Sequence, residues 1–221
     1  MSFQKKTPGK VTLKSRKKRT ESSRKWLIRQ LNDPFAQKAK EEGYRSRAAY
    51  KLIEINEKFK IIKKGDSVVD LGAAPGGWTQ VCVDLVGPKG QVIGLDLQPM
   101  EPVEGAVIFE GDFTEEEVEE RVIESLGGLV DVVLSDMAAP ACGIASVDHI
   151  RIMNLLELVY EFSLKTLKPG GHMAAKVLRG GTENQLLNKL KKSFKTVAHF
   201  KPNSSRADSS EMYLVALGFK G

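Results

Sequence analysis

Cysteine is scarce in this 221-residue chain. Cys82 and Cys142 lie far apart with no C-x-x-C spacing, which argues against a disulfide framework and against a zinc site. No metal is expected. Long apolar runs are missing as well: nothing approaches the roughly 18 residues of a membrane span. The basic N-terminus is followed by no apolar segment, so no secretory signal is expected, and the cytoplasm is the natural compartment. There is no internal repeat, and no G-x-G-x-x-G run of the dinucleotide-binding type.

What is present suits one α/β domain with an appendage. An apolar fraction of 41% supports a packed core. The overall charge is +6, but residues 1–25 hold ten Lys or Arg and one Glu, a net +9, which leaves −3 on the rest. A basic arm is therefore attached to a mildly acidic body. Few apolar side chains occur in residues 1–25, and they are expected to be disordered without a partner. Such arms attract polyanions by releasing counterions, although a solubilising tail has the same composition. The ordered domain is expected over residues 26–221, from Trp26 onward.

Asn32-Asp33-Pro34 signals a turn or helix start, with a short helix over Phe35–Glu42 and a longer one over Tyr44–Lys58. After Lys63-Lys64-Gly65 the pattern alternates. Strands are predicted at 67–71, 91–96, 106–110, 130–135, 172–177, 195–200 and 212–218, with helices at 77–86, 114–126, 147–167 and 182–192. Strands separated by helices imply a doubly wound, mostly parallel, seven-stranded Rossmann-like sheet. The last two strands, separated by the turn-rich Pro202-Asn203-Ser204-Ser205, are expected to form an antiparallel ribbon at one edge.

The central stretch runs from Ser67 to Trp78. A buried strand (Val68, Val69, Leu71) leads into Gly72, Pro75 and Gly76-Gly77, and then into a helix. Glycines there let the backbone approach a ligand at the strand's carboxyl end. The G-x-x-x-G-G spacing after Asp70 suits an adenosyl ligand with no pyrophosphate to cradle. Asp96 ends the next strand, 20 residues beyond Gly76, where an acidic side chain reaches ribose hydroxyls. Asp112 follows the third strand and can accept from an exocyclic adenine amine, or serve only as a helix N-cap. Asp136 ends the fourth. Asp70 itself serves mainly to orient the turn.

These residues resemble the FtsJ/RrmJ family of S-adenosylmethionine-dependent methyltransferases, which act on ribose 2′-hydroxyls of RNA. The matching pieces are Arg45-Ser46-Arg47-Ala48-Ala49-Tyr50-Lys51-Leu52, Asp70 to Trp78, Ser135-Asp136-Met137-Ala138, Ala175-Lys176 and Ser210-Glu211-Met212-Tyr213. Carried over position by position, the resemblance implies a catalytic set of Lys51, Asp136, Lys176 and Glu211. It implies cofactor contacts at Gly76, Trp78, Asp96, Asp112 and Asp136. It further implies a monomer without membrane association that methylates a uridine in the peptidyl-transferase region of large-subunit ribosomal RNA. The chain departs from the family at Asp136-Met137-Ala138-Ala139-Pro140, where the usual Pro is displaced by one and an Asn is missing. That puts the docking loop in question, not the catalytic set.

The chemistry of such a set is plain. A ribose hydroxyl is a weak acid, so the enzyme must align oxygen, methyl carbon and sulfur and help the proton leave. The expectation is that Lys51 lowers the pKa of Lys176, which then acts as the base, with Asp136 and Glu211 orienting both amines. Two rivals stand beside this. One is a cytosine carbon-5 RNA methyltransferase with Cys142 as nucleophile. The other is a non-catalytic RNA-binding protein on the same fold.

Overall fold

A computed structural model describes residues 21–139, 142–180 and 184–221. The first helix, α1 (Glu21–Leu31), begins inside the arm that composition marked off at residues 1–25; residues 1–20 lie outside the described part. Its Leu27 and Ile28 are half-buried. Helix α2 (Pro34–Glu41) starts where Asp33 caps it and Pro34 fills the first turn, whose amides need no helical partner.

Helix α3 (Ala49–Phe59) is shorter than the pattern over Tyr44–Lys58 predicts. The backbone amide of Arg45 donates to Oε1 of Gln80 at 2.9 Å, a tertiary bond that takes the place of a helical one. From α3 onward the elements are β1 (Ser67–Leu71), α4 (Gly77–Val86), β2 (Gln91–Asp96), β3 (Val107–Glu110), α5 (Glu116–Leu126), β4 (Val130–Ser135), α6 (Ala145–Thr166), β5 (Leu167–Leu178), α7 (Asn184–Ser193), β6 (Phe194–Phe200) and β7 (Glu211–Phe219). Strand β5 begins five residues before its predicted start. The Pro169-Gly170-Gly171 signal conceals a register shift between Val130 and Val132, which absorbs the irregular residues without ending the strand.

All seven strands join one sheet in the order β3-β2-β1-β4-β5-β7-β6. The first five pair in parallel, and β7 runs antiparallel to both β5 and β6, so the expected edge ribbon is present with β7 as its inner member. Because successive strand residues face opposite sides, the sheet divides its apolar side chains between two cores. Val68, Val92, Val132, Ala174 and Val215 pack against α3 and α4. Val69, Ile93, Val133, Met173 and Leu214 pack with residues of α5, α6 and α7. Burial on both faces explains why the strands read as continuous apolar runs. Among the described residues, no helix is long and apolar enough to cross a membrane.

Candidate active site

Reversal of strand order between β1 and β4 opens a crevice at the carboxyl ends of the strands, the usual ligand position in open α/β sheets. A cleft of about 650 Å³ occupies it, lined on the apolar side by Leu97, Phe113, Met137, Leu155 and Leu158 and on the polar side by Asp96, Asp112 and Asp136. Its floor is the glycine-rich turn. Gly72 has φ +78°, and a Cβ there would lie 2.2 Å from Cγ of Met137. Gly76 has φ +108°, and a Cβ there would lie 2.9 Å from the Arg45 guanidinium. Both positions hold a left-handed conformation that favours glycine, and at Gly72 a Cβ would also collide with Met137.

Asp70 lies beneath this turn, fully buried, with Oδ2 accepting from the Thr79 hydroxyl at 2.8 Å. Its other oxygen has no partner among the described residues. Burial is the largest influence on the carboxyl and, with the negative charges of Asp136 and Asp96, pushes its pKa up to about 7 against the pull of Thr79. Its position matches the turn-orienting role expected of it.

Each acid of the cleft is held differently. Asp96 accepts from the Ala74 amide at 2.9 Å and the Gln98 amide at 2.8 Å, one on each oxygen, which ties the end of β2 to the glycine-rich turn. Asp112 uses Oδ1 to hold the amide and hydroxyl of Thr114 in a local turn; α5 starts only at Glu116 with Glu115 at its N-cap position, so Asp112 is not the cap of that helix. Asp136 belongs to the cleft and to a second cluster beside it.

That second cluster joins the four residues carried over as catalytic. Lys176 donates to Oδ1 of Asp136 at 2.8 Å and to its carbonyl at 2.7 Å, and lies 3.5 Å from Oε2 of Glu211. Lys51 lies 2.7 Å from Oε1 of Glu211 and 3.8 Å from Oδ2 of Asp136. The reason is register. Ser135 pairs with Ala175 across β4 and β5, so Asp136 emerges beside Lys176. Lys176 pairs with Tyr213 across β5 and β7, and Glu211 shares the face of Tyr213 two residues away. Helix α3 then supplies Lys51 from above, buried to 9% exposure.

Charge in this cluster is balanced, two ammoniums against two carboxylates. Burial is the strongest influence on Lys176 and favours the neutral amine. The charges and hydrogen bonds of Asp136 and Glu211 together outweigh it, and the pKa rises above the ordinary lysine value. This corrects the expectation that Lys51 lowers it: the carboxylates between the two lysines dominate over the like charge. For Glu211 burial again opposes ionisation, but Lys51 and Lys176 hold the carboxyl below its usual value.

Sequence reasoning missed Tyr213 as a member. Fully buried, it donates from its hydroxyl to Oδ1 of Asp136 at 2.5 Å, and that burial, with the adjacent carboxylates, pushes its own pKa well up. A polar aromatic two residues from Glu211 on a strand was the available signal. Trp78 lies outside the cleft lining: its indole donates to the Ala48 carbonyl at 2.8 Å and its ring packs 5.5 Å from that of Tyr213. It braces α3 and β7 against the glycine-rich turn, so its side chain supports the site from behind. Gly76 is likewise outside the lining. Arg45 was also missed. Its guanidinium donates to the carbonyls of Pro75, Glu101 and Pro102 at 3.2, 2.5 and 2.6 Å, strapping the turn to the segment after β2.

The donor set of the cleft fits an adenosyl cofactor. Acceptors at the ends of β2 and β3 match ribose hydroxyls and an exocyclic amine, and Leu97, 69% exposed at the rim, offers an apolar surface to a base. Cys142 is exposed and lies outside that lining. Pro140 and Ala141, part of the displaced-proline run, lie outside the described residues.

The sequence profile described as FtsJ-like methyltransferase matches residues 44–219. A protein of Parvibaculum lavamentivorans named ribosomal RNA large subunit methyltransferase E is 55% identical, over 96% of this chain and 87% of that protein. A protein of the same name from Rickettsia bellii is 54% identical, over 95% of each chain. The crystal structure of a ribosomal RNA methyltransferase from Plasmodium falciparum superposes with a TM-score of 0.72 at 32% identity, over 80% of this chain and all of that one. A seven-stranded sheet of this order, a glycine-rich turn at its crevice and these relatives lead to one conclusion: the chain belongs to the FtsJ-like methyltransferase family.

Proposed function

We propose that this protein transfers a methyl group from S-adenosylmethionine to the 2′-hydroxyl of a ribose in large-subunit ribosomal RNA. The observation that carries the reading is the double membership of Asp136, which lines the cleft and also anchors the Lys176 ammonium. A hydroxyl resting on the lysine cluster thereby lies beside the cofactor cleft. The names of the relatives point to the same RNA. We infer a cytoplasmic location, beside the ribosome, from such a substrate.

Asp96 and Asp112 would hold the adenosine, with Asp136 closing the inner end; Gly76 and Trp78, outside the lining, would serve by shaping the turn behind it. When bound, the cofactor supplies an already activated sulfonium methyl. The residues of the chain then have two tasks. Lys176, held as a cation, donates to the incoming 2′-oxygen and orients a lone pair toward the cleft. As the oxygen takes the methyl and the carbon–sulfur bond breaks, the hydroxyl proton becomes strongly acidic, so an adjacent carboxylate, Asp136 or Glu211 even with its lowered pKa, can take it. Lys51 helps to hold Glu211 ionised, and Tyr213 fixes the rotamer of Asp136.

The test is transfer of labelled methyl from S-adenosylmethionine into large ribosomal subunits from cells lacking this protein, followed by digestion to nucleosides. Label in a 2′-O-methyl nucleoside is expected. Label on carbon 5 of cytosine would overturn the reading in favour of Cys142, and binding without transfer would favour a non-catalytic protein.

A further inference from the structure

A second carboxylate organises the groove leading to the lysine cluster. The groove, about 400 Å³, is lined by Arg29, Arg47, Arg206, Asp208 and Ser209 together with Lys51 and Glu211. Behind it sits Asp33, its side chain only 4% exposed. Oδ1 of Asp33 caps α2 by accepting from the amides of Phe35 at 3.1 Å and Ala36 at 3.3 Å. Oδ2 accepts from Nε and Nη2 of Arg206 at 3.2 and 3.1 Å, and also from Nη1 of Arg47. Arg47 comes from the turn before α3 and Arg206 from the loop between β6 and β7. One oxygen atom thus gathers two guanidiniums from distant parts of the chain.

A cap needs an oxygen and no charge, since Asn caps as well as Asp. The negative charge on Oδ2 is therefore free for another task. Two guanidiniums this close repel, and a bridging carboxylate is what lets them stay together. Burial, and then the charge of Arg206, both pull Arg47 below its ordinary pKa, and Glu211 only partly offsets them. Elsewhere along the groove Arg29 lies 3.6 Å from Asp208, and Lys51 faces Glu211. The loop itself has an independent tether, because Glu54 accepts from the amides of Asn203 at 2.5 Å and Ser204 at 2.7 Å.

We propose that Asp33 is a positioning residue for the nucleic-acid substrate: it holds Arg47 and Arg206 side by side on the groove wall, so that a phosphodiester flanking the acceptor ribose meets two fixed, adjacent guanidinium cations. The inference rests on the RNA-methylation reading above. One edge of each guanidinium is spent on Asp33, and Nη2 of Arg47 also donates to the Ser204 carbonyl, so the pair acts on a phosphate as two fixed neighbouring cations, whereas splayed ones offer a diffuse charge.

Asp33→Asn tests it, since the amide retains the cap oxygen and the shape while the charge is lost. Cofactor affinity by calorimetry should be unchanged. The KM for unmethylated large subunits should rise about tenfold with kcat within about threefold of wild type, as expected when ground-state and transition-state binding are lost equally. Affinity for an in vitro large-subunit RNA transcript, read by fluorescence anisotropy without cofactor, should fall by a similar factor. Arg206→Gln should behave alike, and the double variant should be no worse than the weaker single one, because removing one guanidinium relieves the repulsion. Wild-type KM in Asp33→Asn overturns the proposal, as do losses that multiply in the double variant. Joint loss of cofactor affinity overturns it too, since Asp33 would then serve only the fold. Failure of the wild-type protein to methylate ribose would sink the reaction reading separately, with the anisotropy arm still reporting on Asp33.

Discussion

The cofactor cleft and the lysine cluster share Asp136 but are built in opposite ways. The polar wall of the cleft comes chiefly from neighbouring strand ends, and its carboxylates are fastened to nearby backbone: Asp96 to Ala74 and Gln98, Asp112 to Thr114. The cluster draws on residues from 51 to 211, and side chains hold one another there through ion pairs and the Tyr213 hydroxyl. Backbone amides cannot be mutated away, so the cleft should degrade gradually when a side chain is cut. Mutually supporting charges should fail together, because each truncation strands a buried partner.

Lys176→Ala breaks the comparison hardest. Transfer should drop on the order of a thousandfold or more in single-turnover assays, while S-adenosylmethionine affinity by calorimetry stays near wild type. Because Lys176 is held above the ordinary lysine pKa and Glu211 below the ordinary carboxyl value, the wild-type rate should hold a plateau through neutral pH. It should fall in acid only as Glu211 protonates. A rate that climbs steadily toward the lysine range would restore Lys176 as the base.

Tyr213→Phe removes one hydrogen bond to Asp136 and leaves the ring that packs on Trp78. About tenfold to a hundredfold loss of kcat is expected, equal to roughly 1.5–3 kcal/mol for a bond to a charged group. Unchanged kcat would show that Asp136 needs no such support.

Asp96→Ala tests the cleft. Cofactor affinity should weaken by roughly 1–3 kcal/mol, from lost ribose contacts and the released Ala74 amide. Transfer at saturating cofactor should be nearly restored, which the cluster variants cannot achieve.

The last effect is on stability and leaves activity aside. Asp70 keeps its proton up to about 7, whereas the unfolded chain sheds it in the ordinary carboxylate range. The folded state therefore binds more protons across that window, and the contribution of Asp70 to stability declines as pH rises through it. Thermal midpoints should show this decline in the wild-type protein and a shallower one in Asp70→Asn. Equal slopes would remove Asp70 as the cause.

Much of this is legible in the sequence. Val68 to Leu71 and Val92 to Asp96 read as strands because burial on both faces leaves a continuous apolar run, and Gly72 and Gly76 mark the turn because positive φ excludes most other residues. The four positions proposed as catalytic were legible only through resemblance. Nothing in their spacing along the chain says that residue 51 meets residue 211. The helix predicted from Tyr44 shows the converse: its periodicity was adequate, yet Arg45 found better partners in Gln80 and the carbonyls around the turn.

By itself, then, the sequence determined what local physics can decide: two-sided strands, the glycine turn, and an acid at the end of each strand bordering the crevice. Tertiary structure alone decided the charge state of Lys176, the membership of Tyr213 and the bridging of Arg47 and Arg206 by Asp33. Each of these depends on strand register and on the desolvation of groups remote in sequence. Electrostatic energies follow distance and burial in space, and neither quantity is written along the chain.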